Sequence, residues 1–292
     1  MRCALRERLA PLPRVRDVLL VACLLAPGAG FSHDLWVVPG KYRLAVGEPT
    51  RVFINNGDAF PESLTLVGEH RLTDVKLRGA SSEMAVSGFR VDGQSLTFEV
   101  QAAETGSYVI AVGTRPRTVR LKGEDFESFL DEEHLETVSR EREAQGEAGQ
   151  AVVERYAKWA KAIVDVGDSM ERDTAPWTTP VGHTIEIVPL DHPNRVVPGG
   201  SLRFRVLYEG SPLAGAPIEG TRAGGAAEAG ILTAVTDEDG QASVTLPSVG
   251  RWYVRAIHFV RVQDDPQLQW ESFWSTLSFE VRSPAGGNEP VR

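Results

Sequence analysis

Cysteine is almost missing from this chain of 292 residues: the only two, Cys3 and Cys23, fall within the first 23 positions. The rest of the chain therefore holds no disulfide scaffold, no Cys-ligated zinc and no catalytic thiol. Basic charge is also scarce, with 31 Lys and Arg against 40 Asp and Glu and a formal net charge of -9. A nucleic-acid binder carries the opposite sign. After the leader no apolar run approaches the roughly 20 residues of a membrane-spanning helix. The sequence lacks Gly-x-Ser-x-Gly, His-Glu-x-x-His and Gly-x-Gly-x-x-Gly, and its carboxylate pairs converge on no recognisable site. An enzyme is not expected. What remains is ordinary globular composition, 42% hydrophobic with 28 Gly and 18 Pro, long enough for two modest domains.

The first 32 residues read as an address. Five arginines (Arg2, Arg6, Arg8, Arg14, Arg16) precede the apolar run Val18 to Ala26, and Pro27-Gly-Ala-Gly-Phe-Ser32 follows. These are the parts of a secretory signal peptide. Gly30 and Ser32 suit a cut before His33, with cuts after Gly28 or Gly30 as alternatives. Leu20-Val-Ala-Cys23 resembles a lipobox, but Asp17 leaves only five apolar residues ahead of Cys23. A cleaved periplasmic protein is preferred to a lipoprotein. Removal of residues 1–32 takes five arginines and two acids with it, leaving a net charge of -12.

The pattern predicts a mainly β protein, with two antiparallel β-sandwich (Ig-like) domains joined by a helical segment. From Leu35 to Leu121, short β-type runs such as Thr50–Ile54, Ser95–Val100 and Ser107–Val112 alternate with turn residues, as in a sandwich or barrel. After Gly123 the chain turns charged, and Val152, Tyr156, Trp159 and Ile163 recur at helical spacing. Two helices are expected, at about 124–143 and 150–164, with Asp131-Glu-Glu133 on a solvated face. Strand patterning returns at Thr184–Val188, Ser201–Tyr208, Ser243–Leu246, Trp252–Arg261 and Phe273–Val281. The expected domains are 33–122, a helical insertion and linker at 123–180, a second sandwich at 181–283 and a disordered tail at 284–292. Asp237-Glu-Asp-Gly240 reads as a hairpin turn and Gly220–Gly230 as a flexible hairpin loop.

Histidines carry the remaining chemistry. His70, His134 and His192 read as a polar strand start, a solvated helix position and a turn. Alternation places His258 with Trp252, Val254 and Ala256, and His183 with Ile185 and Ile187, so both rings point toward an apolar interior. Either is explained as a core histidine with one hydrogen bond. His33, exposed by a cut before it, would offer imidazole and α-amine together, a chelate suited to Ni²⁺, Co²⁺, Cu²⁺ or Zn²⁺.

Several segments, taken together, resemble a family of bacterial exported proteins associated with nickel and cobalt uptake (NikM/NikK-like periplasmic proteins). They are His33-Asp-Leu-Trp-Val-Val-Pro39, Gly47-Glu-Pro49, Glu154-Arg-Tyr-Ala-Lys-Trp-Ala-Lys161, Val181-Gly-His-Thr-Ile-Glu-Ile-Val-Pro189, Pro212-Leu-Ala-Gly-Ala-Pro217, Thr236-Asp-Glu-Asp-Gly240, Ala256-Ile-His258 and Trp270-Glu-Ser-Phe-Trp274. The resemblance implies His33, His183 and His258 as metal ligands, with Glu186 or Glu271 as a carboxylate ligand or a partner behind the ligands. It further implies Ni²⁺ or Co²⁺ as the ion and an inner-membrane metal transporter as partner. Two function classes follow: a periplasmic metal-binding protein, or a non-catalytic structural or protein-interaction module of the cell envelope.

Overall fold

The longest strand runs where the second helix was expected. The computed structural model describes residues 33–169, 175–224 and 232–283; the expected signal peptide, most of the Gly/Ala loop at 225–231 and the expected tail lie outside them. In chain order the strands are β1 (Asp34–Pro39), β2 (Arg43–Leu44), β3 (Thr50–Gly57), β4 (Leu72–Arg78), β5 (Glu83–Ala85), β6 (Arg90–Asp92), β7 (Ser95–Val100), β8 (Gly106–Thr114) and β9 (Arg117–Leu121). Helices α1 (Gly123–Glu132) and α2 (Glu136–Ala144) follow. Then come β10 (Val152–Val166), β11 (Ile185–Pro189), β12 (Ser201–Tyr208), β13 (Ser211–Pro212), β14 (Pro217–Arg222), β15 (Leu232–Val235), β16 (Gln241–Thr245), β17 (Gly250–Arg261) and β18 (Trp270–Val281).

β10 is the hinge of the architecture. It pairs in parallel with β18, antiparallel with β9 along its first half and antiparallel with β8 along its second. The Thr114 hydroxyl fills the gap between β8 and β9, donating to the Lys158 carbonyl at 3.1 Å and accepting from the Lys158 N–H at 3.0 Å. One ten-stranded sheet results, ordered β15-β14-β17-β18-β10-β8-β4-β5 with β2 and β9 on β10. The strands of both expected sandwiches share this sheet. A four-stranded sheet (β1-β3-β7-β6) covers one face, burying Val37, Ile54 and Phe98 against Ile110, Ala160 and Val164. Another (β11, β12, β13, β16) covers the opposite face, burying Ile187 and Phe204 against Val254, Leu277 and Phe279.

A strand buried on both faces loses the in–out alternation that marks strands. In β10 the even positions Ala160, Ala162 and Val164 face the first cover, while Trp159 and Ile163 face the second. The 4-3-4 recurrence of Val152, Tyr156, Trp159 and Ile163 thus samples both faces of a strand. The expected helix 150–164 is corrected on this ground. The first expected helix is also two, broken at Glu133–Leu135, where His134 takes a left-handed φ of 55°. Apolar residues Phe126, Phe129, Leu130 and Val138 seat both helices on Val152, Phe259, Trp270 and Trp274.

The polar residues of β18 also have assignments. Thr276 donates to the Leu35 carbonyl at 2.6 Å and Ser278 to the Val37 carbonyl, satisfying outward-facing groups of edge strand β1. Asp237-Glu-Asp-Gly240 is a turn, with the Asp237 carboxylate accepting from the Asp239 and Gln241 N–H groups. Its flanking strands β15 and β16 belong to different sheets, so it is a crossover and not a hairpin.

Candidate functional site: an aromatic and histidine strip

Side chains from four elements and the loop before β11 meet on the face of the large sheet that β11 and β12 cover. Ring centroids run His183 to Trp159 at 6.4 Å, Trp159 to Phe273 at 6.2 Å, Phe273 to Tyr208 at 5.1 Å and Tyr208 to His258 at 4.6 Å. Trp159 and Phe273 lie on neighbouring strands β10 and β18 with their planes only 16° apart. Tyr208 and His258 stand edge-on to their neighbours. The indole reaches across Gly113, where a Cβ would come within 3.1 Å of the ring and 2.9 Å of the Thr73 hydroxyl. Arg155 and Glu271 close the rim with a 2.7 Å ion pair.

Four of the five rings are half-buried, and only His183, at 6% exposure, is buried. Among the described residues none hydrogen-bonds either nitrogen of His183, and both are fully enclosed. His183 borders a pocket of about 360 Å³ with Pro180, Thr184 and Glu209. Burial, reinforced by the Lys161 charge, holds its imidazole down to about 3, so it is neutral at physiological pH. Burial alone lowers His258 as well. At the other end His258 borders a cleft of about 660 Å³ with Ile257, Glu219 and Val235.

The fold does not gather the residues of the implied metal site. The His33 carbonyl accepts from Lys158, which lies on the β10 face opposite Trp159, so the sheet separates His33 from His183 and His258. His183 and His258 share a face but have three aromatic rings between them. Glu186 is committed to Lys161 at 2.6 Å and to the N–H groups of Val181, Gly182 and His183; Glu271 is committed to Arg155. Among the described residues, no group of three or more His, Asp or Glu side chains is arranged to hold a metal ion. The three-histidine centre implied by resemblance does not fit this fold. His33 instead meets Asp58, with Nδ1 2.5 Å from Oδ1.

Three other buried polar groups were not foreseen. His192, expected in a turn, is buried with Nε2 3.0 Å from the Ser107 hydroxyl and 3.2 Å from Asp165. A relay needs the acid and the hydroxyl on different ring nitrogens, so this is a structural clasp. Burial would raise Asp165, but His192 and the hydroxyls of Ser107 and Ser169 pull it to about 2. Glu133, expected on a solvated face, joins Asp34 and Glu219 around Arg255, and its burial outweighs the arginine and lifts it to about 7. Glu154 and Lys158 are buried on β10 and shifted by that burial to about 7 and about 8.

Fold and site together define a β-sandwich protein with a shared central sheet and an aromatic strip on one face. The chain belongs to the family defined by a domain of unknown function (DUF4198), whose model matches residues 30–259. That description assigns no activity and no metal. No curated protein matches. Among solved structures the chain is similar to the D0-D1 domain of intimin (15% identity, 84% of this chain, 97% of that one, TM-score 0.21). It is also similar to the Escherichia coli adhesin FdeC (13% identity, 87% and 66%, TM-score 0.24) and to Escherichia coli alpha-2-macroglobulin (11% identity, 86% and 16%, TM-score 0.22). These superpositions are too loose to transfer a role. No helix among the described residues is long and apolar enough to cross a membrane.

Proposed function

We propose that the protein is an exported, non-catalytic binding module whose working surface is the strip from His183 to His258. One observation supports this above the others: the rings form a contiguous aromatic face, and at one end of it a buried imidazole, His183, has neither nitrogen paired. A buried polar group left unpaired costs about 1–3 kcal/mol, and a partner supplied from outside the chain would offset that cost. The test is photo-crosslinking in the native host from a benzophenone residue at Phe273, with Val91, an exposed position on β6, as control. Adducts specific to position 273 support the proposal; equal or absent adducts at both positions overturn it.

A second reading has its own observation. His33 Nδ1 points at Asp58 Oδ1, and a cut before His33 would add an α-amine beside that nitrogen. Amine, imidazole and carboxylate form a three-donor set that suits Cu²⁺ or Ni²⁺. Calorimetry on protein beginning at His33 tests it. Binding abolished by His33→Ala and weakened by Asp58→Ala supports the site, and binding unchanged in both removes it.

A further inference from the structure

We propose that strand β15 and the cleft beside it take up an extended, positively charged segment of a partner protein, which pairs with β15 as an added strand. The site is separate from the strip and reaches it only at His258.

The backbone comes first. β15 ends the ten-stranded sheet and, among the described residues, pairs with β14 alone. Thr236 turns its N–H to the Ala216 carbonyl and its own carbonyl to the Gly215 N–H. Backbone groups alternate sides along a strand, so those of Val235 and Thr233, one and three residues back, face away from β14. Pro217, opposite Val235, fits the same phase because it has no N–H to give. Two donors and two acceptors therefore line the open edge, in the spacing an incoming strand needs.

The edge is also unguarded. Strands that end a sheet are ordinarily blunted by charge, proline or a bulge. β5 carries Glu83, β6 carries Arg90 and Asp92, and β13 carries Pro212. Leu232-Thr-Ala-Val235 has neither charge nor proline and pairs with β14 without a register shift. Val235 is 65% exposed. By register, Val235 and Thr233 share a face with Pro217 and Glu219, and all four border the cleft of about 660 Å³. The start of α2, from Leu135 to Val138, lines the same cleft, and Ile257 and Phe259 add to its apolar surface. An added strand would lay alternate side chains into this space.

Charge selects the partner. Glu136 and Glu219 border the cleft, and Asp237, Glu238 and Asp239 follow β15 directly and are exposed. Among the described residues no lysine or arginine lines the cleft. His134 already faces Glu219 at 3.7 Å, and burial makes His258 harder to charge. Arg255, which pairs with Glu219, is shared with Asp34 and Glu133 as well, so carboxylate is in surplus. A segment bearing lysine or arginine is attracted to such an edge, and an acidic one is repelled. A second copy of this chain would bring the same carboxylates to the edge, and like charges across a strand pair are destabilising.

The protein is titrated into a fluorescein-labelled octapeptide of alternating lysine and valine, with the alternating glutamate and valine octapeptide as control, and anisotropy is read at low and high salt. Saturable binding of the lysine peptide is expected, weakened by salt, with the glutamate peptide weaker by about tenfold or more. Val235→Pro removes one outward N–H and no bond to β14, and proline is tolerated where a strand N–H faces solvent. Affinity should fall about tenfold or more in this variant. Val235→Lys, at the same exposed position, keeps the N–H, opposes the charge of the peptide and should weaken binding as much. Thermal unfolding checks that each variant is folded. No binding of the lysine peptide, equal binding of both peptides, or binding that survives both substitutions overturns the site. A wild-type dimer in sedimentation that Val235→Pro dissolves gives the edge to a second copy and also overturns the partner strand. Crosslinks from position 273 test the strip and are unaffected by either result.

Discussion

Lys161 and Glu186 meet at 2.6 Å with side chains only 3% and 1% exposed, beside the strip and between the shared sheet and its second cover. Burial would raise Glu186, but Lys161 and the N–H groups it accepts hold it below the usual carboxylate range. The pair anchors the loop that carries His183, since Glu186 accepts from the Val181, Gly182 and His183 N–H groups.

Removing one partner of this pair should therefore be costly. Lys161→Met is expected to destabilise by about 3–5 kcal/mol, the cost of stranding a buried charge. Glu186→Leu should cost at least as much, because it also orphans three backbone donors, and Glu186→Gln should cost less. Denaturant unfolding of the variants checks the order. A Lys161→Met protein as stable as wild type would show that the pair is not formed.

His183 gives a prediction of opposite sign. Its folded pKa of about 3 lies below its ordinary 6.5, so its titration costs nothing above pH 6.5 and destabilises the fold increasingly as pH falls from 6.5 toward 3. His183→Phe should raise stability by about 1 kcal/mol at pH 7, since it removes two unpaired buried atoms. The advantage should widen at pH 5. A destabilised variant at pH 7 would mean that the ring has partners after all.

Glu154 runs the other way. Burial lifts it from 4.5 to about 7, so the folded state favours the protonated acid, and stability falls as pH rises from 4.5 through 7. Glu154→Gln keeps an acceptor for the Ser272 hydroxyl and removes the titration. Relative to wild type it should gain up to about 3 kcal/mol between pH 4.5 and 8, from the size of the shift. A gap that does not change with pH contradicts this.

Gly113 tests the strip's geometry. A methyl there would crowd the Trp159 ring at 3.1 Å and the Thr73 hydroxyl at 2.9 Å. Gly113→Ala is expected to cost about 1–3 kcal/mol, the range for overpacking, and to shift tryptophan emission to the red as the indole is pushed toward water. Unchanged emission and stability would place the indole elsewhere.

Much of the strand pattern was legible because turns and alternation punctuate it: Ser95–Val100 and Ser201–Tyr208 coincide with β7 and β12. The face of His258 was legible too, since β17 alternates cleanly and does put it with Trp252, Val254 and Ala256. β10 was not, because burial on both faces erases period two and its alanines favour helix in isolation. In the fold those alanines leave room for β1 to cross close above. The strip itself could not be read. Trp159, Tyr208 and Phe273 belong to strands far apart in sequence, and only the order of strands in the sheets brings their rings together. The same order sets His33 on the far side of β10, where sequence reasoning had no means to place it.

Residues 33–292 contain no cysteine, so one introduced thiol reports on the strip alone. The most direct measurement is the rate at which Phe273→Cys reacts with a maleimide, in the purified protein and in cells of the native host. Fast reaction when purified and marked protection in the cell is the expected result. Equal rates in both settings would mean that nothing occupies the strip where the protein works.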